Sequence, residues 1–425
     1  MITGGTPLAA ACALIVVSAA SLGAQQSSGC RVQLDSVGGT GRYEEIRPGV
    51  VRQYGSGGVW ASCRNQRTAI YADSVAWYSD LARVDFIGRT RFEDSTVLLH
   101  ADRASYYTRD ERLEAYGMVR LLNLRTGTEL RGPNLKYWRA IEGVRDTSDL
   151  VASDRPTVWY RQEQERGDTA APEPYVIVGQ RVRLKGEGRA WAAGSVTVSR
   201  SDLRASGDSA ELDLDNGTGR LLGGAQIEGR GERAYTLSGE RVVFRLEERR
   251  LRWVQAQGAA RAVSEDWDLA ADTIEFYIEN QRIQNGGAWG RENRPKAVSS
   301  SYTMEADSLA IDAPDQRLRE IRGFGKALAL AYGGREGGEP DWVAGDTLVA
   351  HFDTASSGER AMRELDARGH ARAYYRVYEE DGRTLAGINY SRGARIKAIF
   401  TDGSLHRVHV IGEGDGIYLE PRRRP

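Results

Sequence analysis

Apolar and polar residues alternate along most of this chain, and one short pattern of alternation recurs. The first clear copy begins at Ala72 and Asp73, and the second begins at Ala101 and Asp102. Each copy contains a small residue, an acid, an alternating run, a polar turn and a second alternating run. Because residues two apart share one face of a strand, this unit predicts a pair of β-strands.

Further copies of the unit follow along the chain at intervals of about 30 to 40 residues, a period typical of stacked supersecondary units. They begin at Gly207, Gly239, Ala271, Ala306 and Gly345, with weaker copies near Gly132 and Gly179. The sequence therefore predicts one all-β array, and no convincing amphipathic helix follows the first 24 residues. The residues on the opposite face of each strand are both polar and apolar. A sheet with only one consistently apolar face favours antiparallel pairing.

The apolar positions keep a constant phase within the unit, two and four residues after each acid. We expect this face to line the interior of the array. The candidate lining residues are Val75, Trp77, Ala104, Tyr106, Val119, Leu121, Leu212, Leu214, Val242, Phe244, Ile274, Phe276, Leu309, Ile311, Leu348 and Phe352. The pattern leaves open whether these side chains fill a closed core or line an open trough.

Small residues alternate in the second half of several units, around Gly258, Gly325 and Gly369. Glycine inside a strand often marks a bend or a bulge. A column of such positions predicts strands bent at a common place, so that the sheet forms an open, V-shaped, solenoid-like trough.

The N-terminal 24 residues resemble an export signal, with an apolar run from Ala9 to Val17 followed by small residues. No Lys or Arg precedes the apolar run, which is atypical. We expect residues 1–24 to be a signal peptide and the mature protein to be periplasmic. Two cysteines, Cys30 and Cys63, then remain, and a pair in an exported protein predicts a disulfide. Free thiols, or lipidation of Cys30, are the alternatives.

Segments rich in proline and charged residues mark the expected boundaries in the rest of the chain. We expect a first block over 25–160, a linker over 161–174, a second block over 175–295, a third over 296–420 and a basic tail over 421–425. The net charge of −1 over 425 residues gives no indication of nucleic-acid binding.

A search for catalytic motifs finds no nucleophile elbow, phosphate loop, zinc-binding helix or Cys-x-x-Cys. The recurring acids are compatible with calcium ligands or with the carboxylates of a glycan-cleaving enzyme. Because they recur throughout the chain instead of converging, we interpret them as structural caps that bond to backbone amides. We expect no enzyme activity, metal or cofactor. The acids are Asp73, Asp102, Asp208, Glu240, Asp272, Asp307 and Asp346.

Residues 60–160 resemble a known family. The segments that carry the resemblance begin at Ala101, Leu113, Gly132 and Asp154, the last reading Asp-Arg-Pro-Thr-Val-Trp-Tyr. In this order they are similar to the OstA/LptA-like domain of lipopolysaccharide transport. The later repeats resemble the unit more loosely, and the run from Gly393 to Val410 resembles the end of the longer members. The chain departs from the barrel-bearing members in having no run of barrel strands at its C-terminus.

The resemblance implies a bent β-jellyroll whose interior carries the acyl chains of lipid A across the periplasm toward the outer membrane. It also implies lipopolysaccharide or a related glycolipid as ligand, and other transport components as partners through pairing of edge strands. An alternative is a structural or adhesive β-solenoid of the cell envelope with a closed core.

Overall fold

Alternating apolar residues form strands over nearly the whole described chain. The computed structural model describes residues 30, 32–63, 67–141, 143–161, 173–230, 234–247, 250–265, 267–299, 302–331, 340–354, 360–379, 384–401 and 404–421. These residues contain 28 strands, a single 3₁₀ turn at Pro314–Gln316, and no helix with the length and hydrophobicity of a membrane span. The expected signal peptide and most of the expected linker and tail lie outside the described residues.

The strands follow one another along the described chain. The first fourteen are β1 Val32–Val37, β2 Gly41–Arg47, β3 Val50–Cys63, β4 Ala69–Tyr78, β5 Arg83–Glu93, β6 Val97–Tyr107, β7 Arg112–Asn123, β8 Glu129–Trp138, β9 Asp149–Ser153, β10 Thr157–Tyr160, β11 Tyr175–Val178, β12 Arg181–Lys185, β13 Arg189–Arg200 and β14 Leu203–Asp213. The others are β15 Thr218–Gly229, β16 Tyr235–Glu247, β17 Arg250–Ser264, β18 Asp268–Glu279, β19 Arg282–Trp289, β20 Lys296–Val298, β21 Tyr302–Glu305, β22 Ser308–Asp312, β23 Glu320–Ala331, β24 Asp341–Thr354, β25 Arg360–Tyr378, β26 Leu385–Thr401, β27 Ser404–Ile411 and β28 Asp415–Leu419.

Every strand pairing is antiparallel, as the one-sided pattern predicts. Most long strands break their register once near the middle, for example between Ser206 and Ser209 in β14 and between Leu222 and Ala225 in β15. Where a strand is interrupted at this point, two short strands take its place: β9 and β10 pair with the two halves of β8. The register breaks therefore form a crease that runs along the whole sheet.

The crease divides the sheet into two layers. Layer 1 comprises β2, β9, β12, β19, β22, β27 and residues 50–56, 74–78, 83–87, 103–107, 112–116, 134–138, 189–193, 209–213, 218–222, 241–247, 250–257, 273–279, 320–324, 347–354, 360–368 and 395–401. Layer 2 comprises β1, β10, β11, β20, β21, β28 and residues 59–63, 69–72, 90–93, 97–101, 119–123, 129–132, 196–200, 203–207, 225–229, 235–239, 260–264, 268–271, 327–331, 341–345, 371–378 and 385–393. At a strand spacing of about 4.8 Å, each layer extends for roughly 100 Å.

The two layers pack face to face. Phe352 of layer 1 contacts Tyr302 of layer 2, with ring centroids 5.0 Å apart. Apolar side chains of both layers share the same buried clusters, such as Leu237 of layer 2 and Val242 of layer 1, both 0% exposed. Folding the sheet at the crease therefore buries the apolar face that the alternation predicts.

The recurring acids lie at the crease. Six of the seven are in the middle of strands and not at their beginnings, and Asp307 lies between β21 and β22. Asp73, for example, is the fifth residue of β4, because residues 69–72 also alternate and pair in layer 2. A Cβ atom on Gly88 of the next strand would collide with the Asp73 side chain, and Gly88 has a φ of +78°. A Cβ atom on a nearby glycine would collide with each of the other six acids as well: Asp102 with Gly117, Asp208 with Gly223, Glu240 with Gly258, Asp272 with Gly290, Asp307 with Gly325 and Asp346 with Gly369. Five of these glycines have a positive φ, and the exception is Gly290, which follows the end of β19.

Hydrogen bonds explain why an acid occupies this position. Asp272 accepts backbone N–H bonds from Arg291, Glu292 and Asn293 at 2.7 to 3.0 Å. Asp102 accepts one from Met118, and Asp73 pairs with Arg89. The bulge leaves backbone donors unpaired, and a carboxylate satisfies them or neutralises a neighbouring cation.

Candidate functional site

The interior of the folded sheet contains two separate apolar cores. The first core runs from Cys30 to Val196, and the second runs from Ala205 to Ala398. Val198 and Ala210 touch both cores but are only partly buried. The packing is therefore interrupted near β13 and β14, and a cavity lies at that point.

The cavity has a volume of about 700 Å³ and extends from β10 to β18 between the two layers. Its layer 1 wall includes Leu212, Leu221, Phe244 and Leu246, and Leu214 lines it from the turn after β14. Its layer 2 wall includes Ile177, Val198, Leu203, Ile227 and Tyr235. Most of these side chains remain partly exposed although they are apolar and point inward. A volume of this size is in the usual range for a single bound ligand.

Small residues create the space. Ala190, Ala192, Ala205 and Ala210 stand at inward positions where other strands carry Leu, Ile or Phe. Their side chains are too short to reach the opposite layer. The gap between the layers at β13 and β14 is therefore left unfilled.

Each layer has a free margin, which is the edge opposite the crease where the strands turn. Contacts between the two free margins close the first core on one side of the cavity. The backbone N–H of Cys30 donates to Glu111 Oε1 at 2.7 Å, and Glu111 also pairs with Arg139 at 3.1 Å. Arg125 of the layer 2 margin pairs with Glu187 of the layer 1 margin, and the Tyr160 hydroxyl donates to the Glu187 carbonyl at 3.0 Å. The Tyr160 and Glu187 bond stands at the boundary between the large cavity and a smaller one.

The smaller cavity, of about 270 Å³, is lined by polar side chains that include Asn123, Thr128 and Ser148. It shares Tyr160 and Leu214 with the larger cavity. At the opposite end of the large cavity, Trp267 of the layer 2 margin packs against Phe276 of layer 1, with ring centroids 5.9 Å apart. The large cavity is thus bounded along the array by the smaller polar cavity at one end and by the Trp267 and Phe276 contact at the other.

Charged groups surround the opening of the large cavity. Arg200 binds Asp202 through two bonds of 2.6 Å, and its guanidinium lies 4.4 Å from the centroid of the Tyr175 ring. The hydrogen bonds from Arg200 hold the pKa of Asp202 below its ordinary value. Burial raises the pKa of Tyr235 to about 12, so this phenol stays neutral in the wall.

The sixteen predicted lining residues all lie on the inward face, but the structure distributes them unevenly. Only Leu212, Leu214 and Phe244 line the large cavity. The other thirteen belong to the two cores or pack against them. Thirteen of the predicted positions are therefore filled by protein, whereas three face the large cavity.

Sequence reasoning did not single out Tyr160, Tyr175, Leu203, Tyr235 or Arg252, which also line the cavity. They fall outside the two positions counted from each acid. The available signal was the density of Ala and Gly in residues 190–194 and 205–210, where the repeat elsewhere carries larger side chains.

Cys30 and Cys63 form a disulfide with a Cα separation of 4.9 Å, which fixes the first described residue to the end of β3. Among the described residues no group of three or more His, Cys, Asp or Glu side chains is arranged to hold a metal ion. Neither models of known protein families nor curated proteins give a match to this chain.

Proposed function

We propose that this protein binds the acyl chains of a lipid between its two layers and carries lipopolysaccharide, or a related glycolipid, through the periplasm to the outer membrane. The observation that carries this proposal is the cavity of about 700 Å³ with walls of Leu, Ile and Phe. An exposed apolar cavity of this kind is stabilised by an apolar ligand, and each buried methylene contributes about 0.8 kcal/mol. The role is that of a conduit, with no covalent step.

The proposed fold is a bent β-jellyroll that acts as a V-shaped trough. Its support is the crease, where left-handed Gly residues and register breaks recur in successive strands. Among the described strands, paired strands that follow each other in the chain are joined at their ends away from the crease, and the two layers are continuous through the strands that cross the crease. Separation of the margins would extend the cavity into the two filled cores.

An exported protein is consistent with the disulfide, since such bonds persist in oxidising compartments. The ends of the array support the proposed partners. β1 and β2 at one end, and β27 and β28 at the other, each pair on one side only among the described strands. Such edges add strands from other chains, and we propose that lipopolysaccharide-transport components pair there.

A structural β-solenoid is the second candidate. The two filled cores favour it, because thirteen of the sixteen predicted lining residues belong to these cores or pack against them. In this alternative the cavity is a packing defect without a ligand.

Filling the cavity distinguishes the two candidates. Ala210→Trp places an indole in the cavity, whereas Val243→Trp places one on the outward face of β16. We expect Ala210→Trp to weaken binding of fluorescently labelled lipopolysaccharide by about tenfold or more, because the lost burial exceeds 1.4 kcal/mol. Val243→Trp should bind as the unmodified protein does. Equal affinities of the two variants, both folded, would contradict the proposal.

A further inference from the structure

Arg252 brings a cation to the wall of an apolar cavity. It is the extra residue of a bulge in β17, where Trp253 pairs with Arg245 and Leu251 pairs with Leu246. Both Leu251 and Arg252 line the cavity. The bulge therefore places a guanidinium in the wall of a cavity that also contains leucine and phenylalanine side chains.

One hydrogen-bond donor of Arg252 is not used within the described part of the chain. Its Nε is buried and has no hydrogen-bond partner there. Glu247 Oε2 lies 3.8 Å from this atom, so the two side chains form an ion pair without a hydrogen bond. A buried N–H group without an acceptor is costly, and an anionic ligand would remove that cost.

The charged residues that line the cavity also favour an anionic ligand. Its described lining contains five arginines but only one aspartate and one glutamate. Asp202 is paired with Arg200, and Glu211 is paired with Arg220. Arg230 and Arg250 also line the cavity. Arg230 has an ion-pair partner in Glu228 at 3.8 Å, as Arg252 has in Glu247, but neither acid is in the described lining, so the lining itself carries an excess of positive charge.

We propose that the opening of this cavity binds the anionic head group of the lipid, a phosphate or a carboxylate, with Arg252 as its main ligand. This inference rests on the function proposed above, since it assumes that an acyl chain occupies the cavity. A guanidinium presents parallel N–H donors that match the oxygens of either anion. The geometry thus selects amphiphiles with an anion at one end of the apolar chain over neutral ones.

Three small probes separate the parts of this proposal: dodecyl phosphate, dodecanol and inorganic phosphate. Each is tested by equilibrium dialysis against the full-length protein, against Arg252→Gln and against Arg245→Gln. Arg245 is the matched control because it lies in the neighbouring strand and stacks on Trp253, 4.8 Å from the ring centroid. Thermal denaturation establishes that each variant is folded.

The unmodified protein should bind dodecyl phosphate about tenfold more tightly than dodecanol. Arg252→Gln should bring the two affinities to within about twofold by weakening dodecyl phosphate alone, and Arg245→Gln should keep the full preference. Millimolar inorganic phosphate should not displace dodecyl phosphate, because the acyl chain supplies most of the affinity.

Each of the other possible outcomes would overturn one part of the proposal. Equal binding of dodecyl phosphate and dodecanol by the unmodified protein would overturn the head-group site and leave acyl binding intact. A matching loss of preference in Arg245→Gln would overturn the assignment to Arg252. Displacement by inorganic phosphate would make free phosphate the ligand. Failure of both dodecyl compounds to bind would overturn the proposed function itself.

Discussion

The ring of Phe244 lies directly over Gly219 in the neighbouring strand, so closely that a Cβ atom on the glycine would overlap it. The other end of β16 repeats the arrangement, with the ring of Tyr235 over Gly229. An aromatic side chain covers the exposed backbone of a glycine in a sheet and fixes its own position in doing so. Two glycines of β15 thus place one aromatic ring on each wall of the cavity.

Gly219→Ala should disturb the layer 1 wall. The new methyl group must displace the Phe244 ring, and overpacking of this kind costs about 1 to 3 kcal/mol. We expect a lower midpoint of thermal denaturation and weaker binding of dodecanol. Gly41→Ala is the control, because the nearest atom to its Cβ is the Tyr54 carbonyl oxygen at 3.9 Å. If both alanine variants bind dodecanol alike, Phe244 does not form part of the acyl site.

Asp366 should make stability depend on pH in the acid range. It is 2% exposed and accepts bonds from Arg368 at 2.7 Å and Arg395 at 2.7 Å. Burial raises the pKa of its carboxyl, but the bonds from Arg395 and Arg368 outweigh burial and hold the pKa below the ordinary 3.8. The ionised form therefore contributes stability that is present above pH 3.8 and is lost as the pH falls through the lower folded value.

Asp366→Asn should reduce the free energy of unfolding at neutral pH by about 1 to 3 kcal/mol and should flatten its acid dependence. The measurement is urea denaturation at a series of pH values. Asp315→Asn removes an exposed carboxylate 4.0 Å from Arg282 and should change stability by less than about 0.5 kcal/mol. An unchanged acid slope in Asp366→Asn would disprove the role assigned to Asp366.

The Cys30 and Cys63 disulfide should stabilise the first core without affecting the cavity. A loop with a sequence separation of 33 residues corresponds to about 3 to 4 kcal/mol of chain entropy. We expect Cys30→Ser with Cys63→Ser to lower the midpoint of thermal denaturation and to keep dodecanol affinity. The same shift should appear in the unmodified protein after reduction. A double variant as stable as the oxidised protein would show that the bond adds nothing to folding.

The exposed C-terminal edge should support association. Ile417 and Leu419 of β28 are each 60% exposed. Replacing both with Lys adds charge to the edge and should weaken any concentration-dependent association seen by sedimentation velocity. Tyr277→Lys tests a 48% exposed residue in the middle of the array and should leave association unchanged. Association that survives the double substitution would place the contact elsewhere.

Much of the fold could be predicted from alternation and from glycine. The positions two and four residues after each acid are inward because a strand places residues two apart on one face, and Ile274 and Phe276 are accordingly buried. The bend column was visible as Gly258, Gly325 and Gly369, each of which has a positive φ in a bulged strand. Pattern and chirality are local properties, and the sequence carries them directly.

The location of the cavity could not be predicted in the same way. Leu212 and Ile311 occupy the same position in the repeat, but Ile311 is 5% exposed while Leu212 lines open space. The difference depends on the size of the residues in the facing layer, such as Ala205. The sequence of one strand does not reveal which residues of the other layer it faces. The inward guanidinium of Arg252 depends on a one-residue bulge, which alternation alone does not locate.

Photocrosslinking in cells tests the central claim most directly. A photoreactive amino acid replaces Phe244 in the cavity, and in separate strains it replaces Phe276 in the second core or Glu275 on the outward face. Ultraviolet irradiation is followed by blotting for lipopolysaccharide. The account predicts an adduct from position 244 and none from position 275, with an adduct from 276 if the margins separate during transport. No adduct from position 244 in a folded, exported protein would contradict the account and favour the closed solenoid.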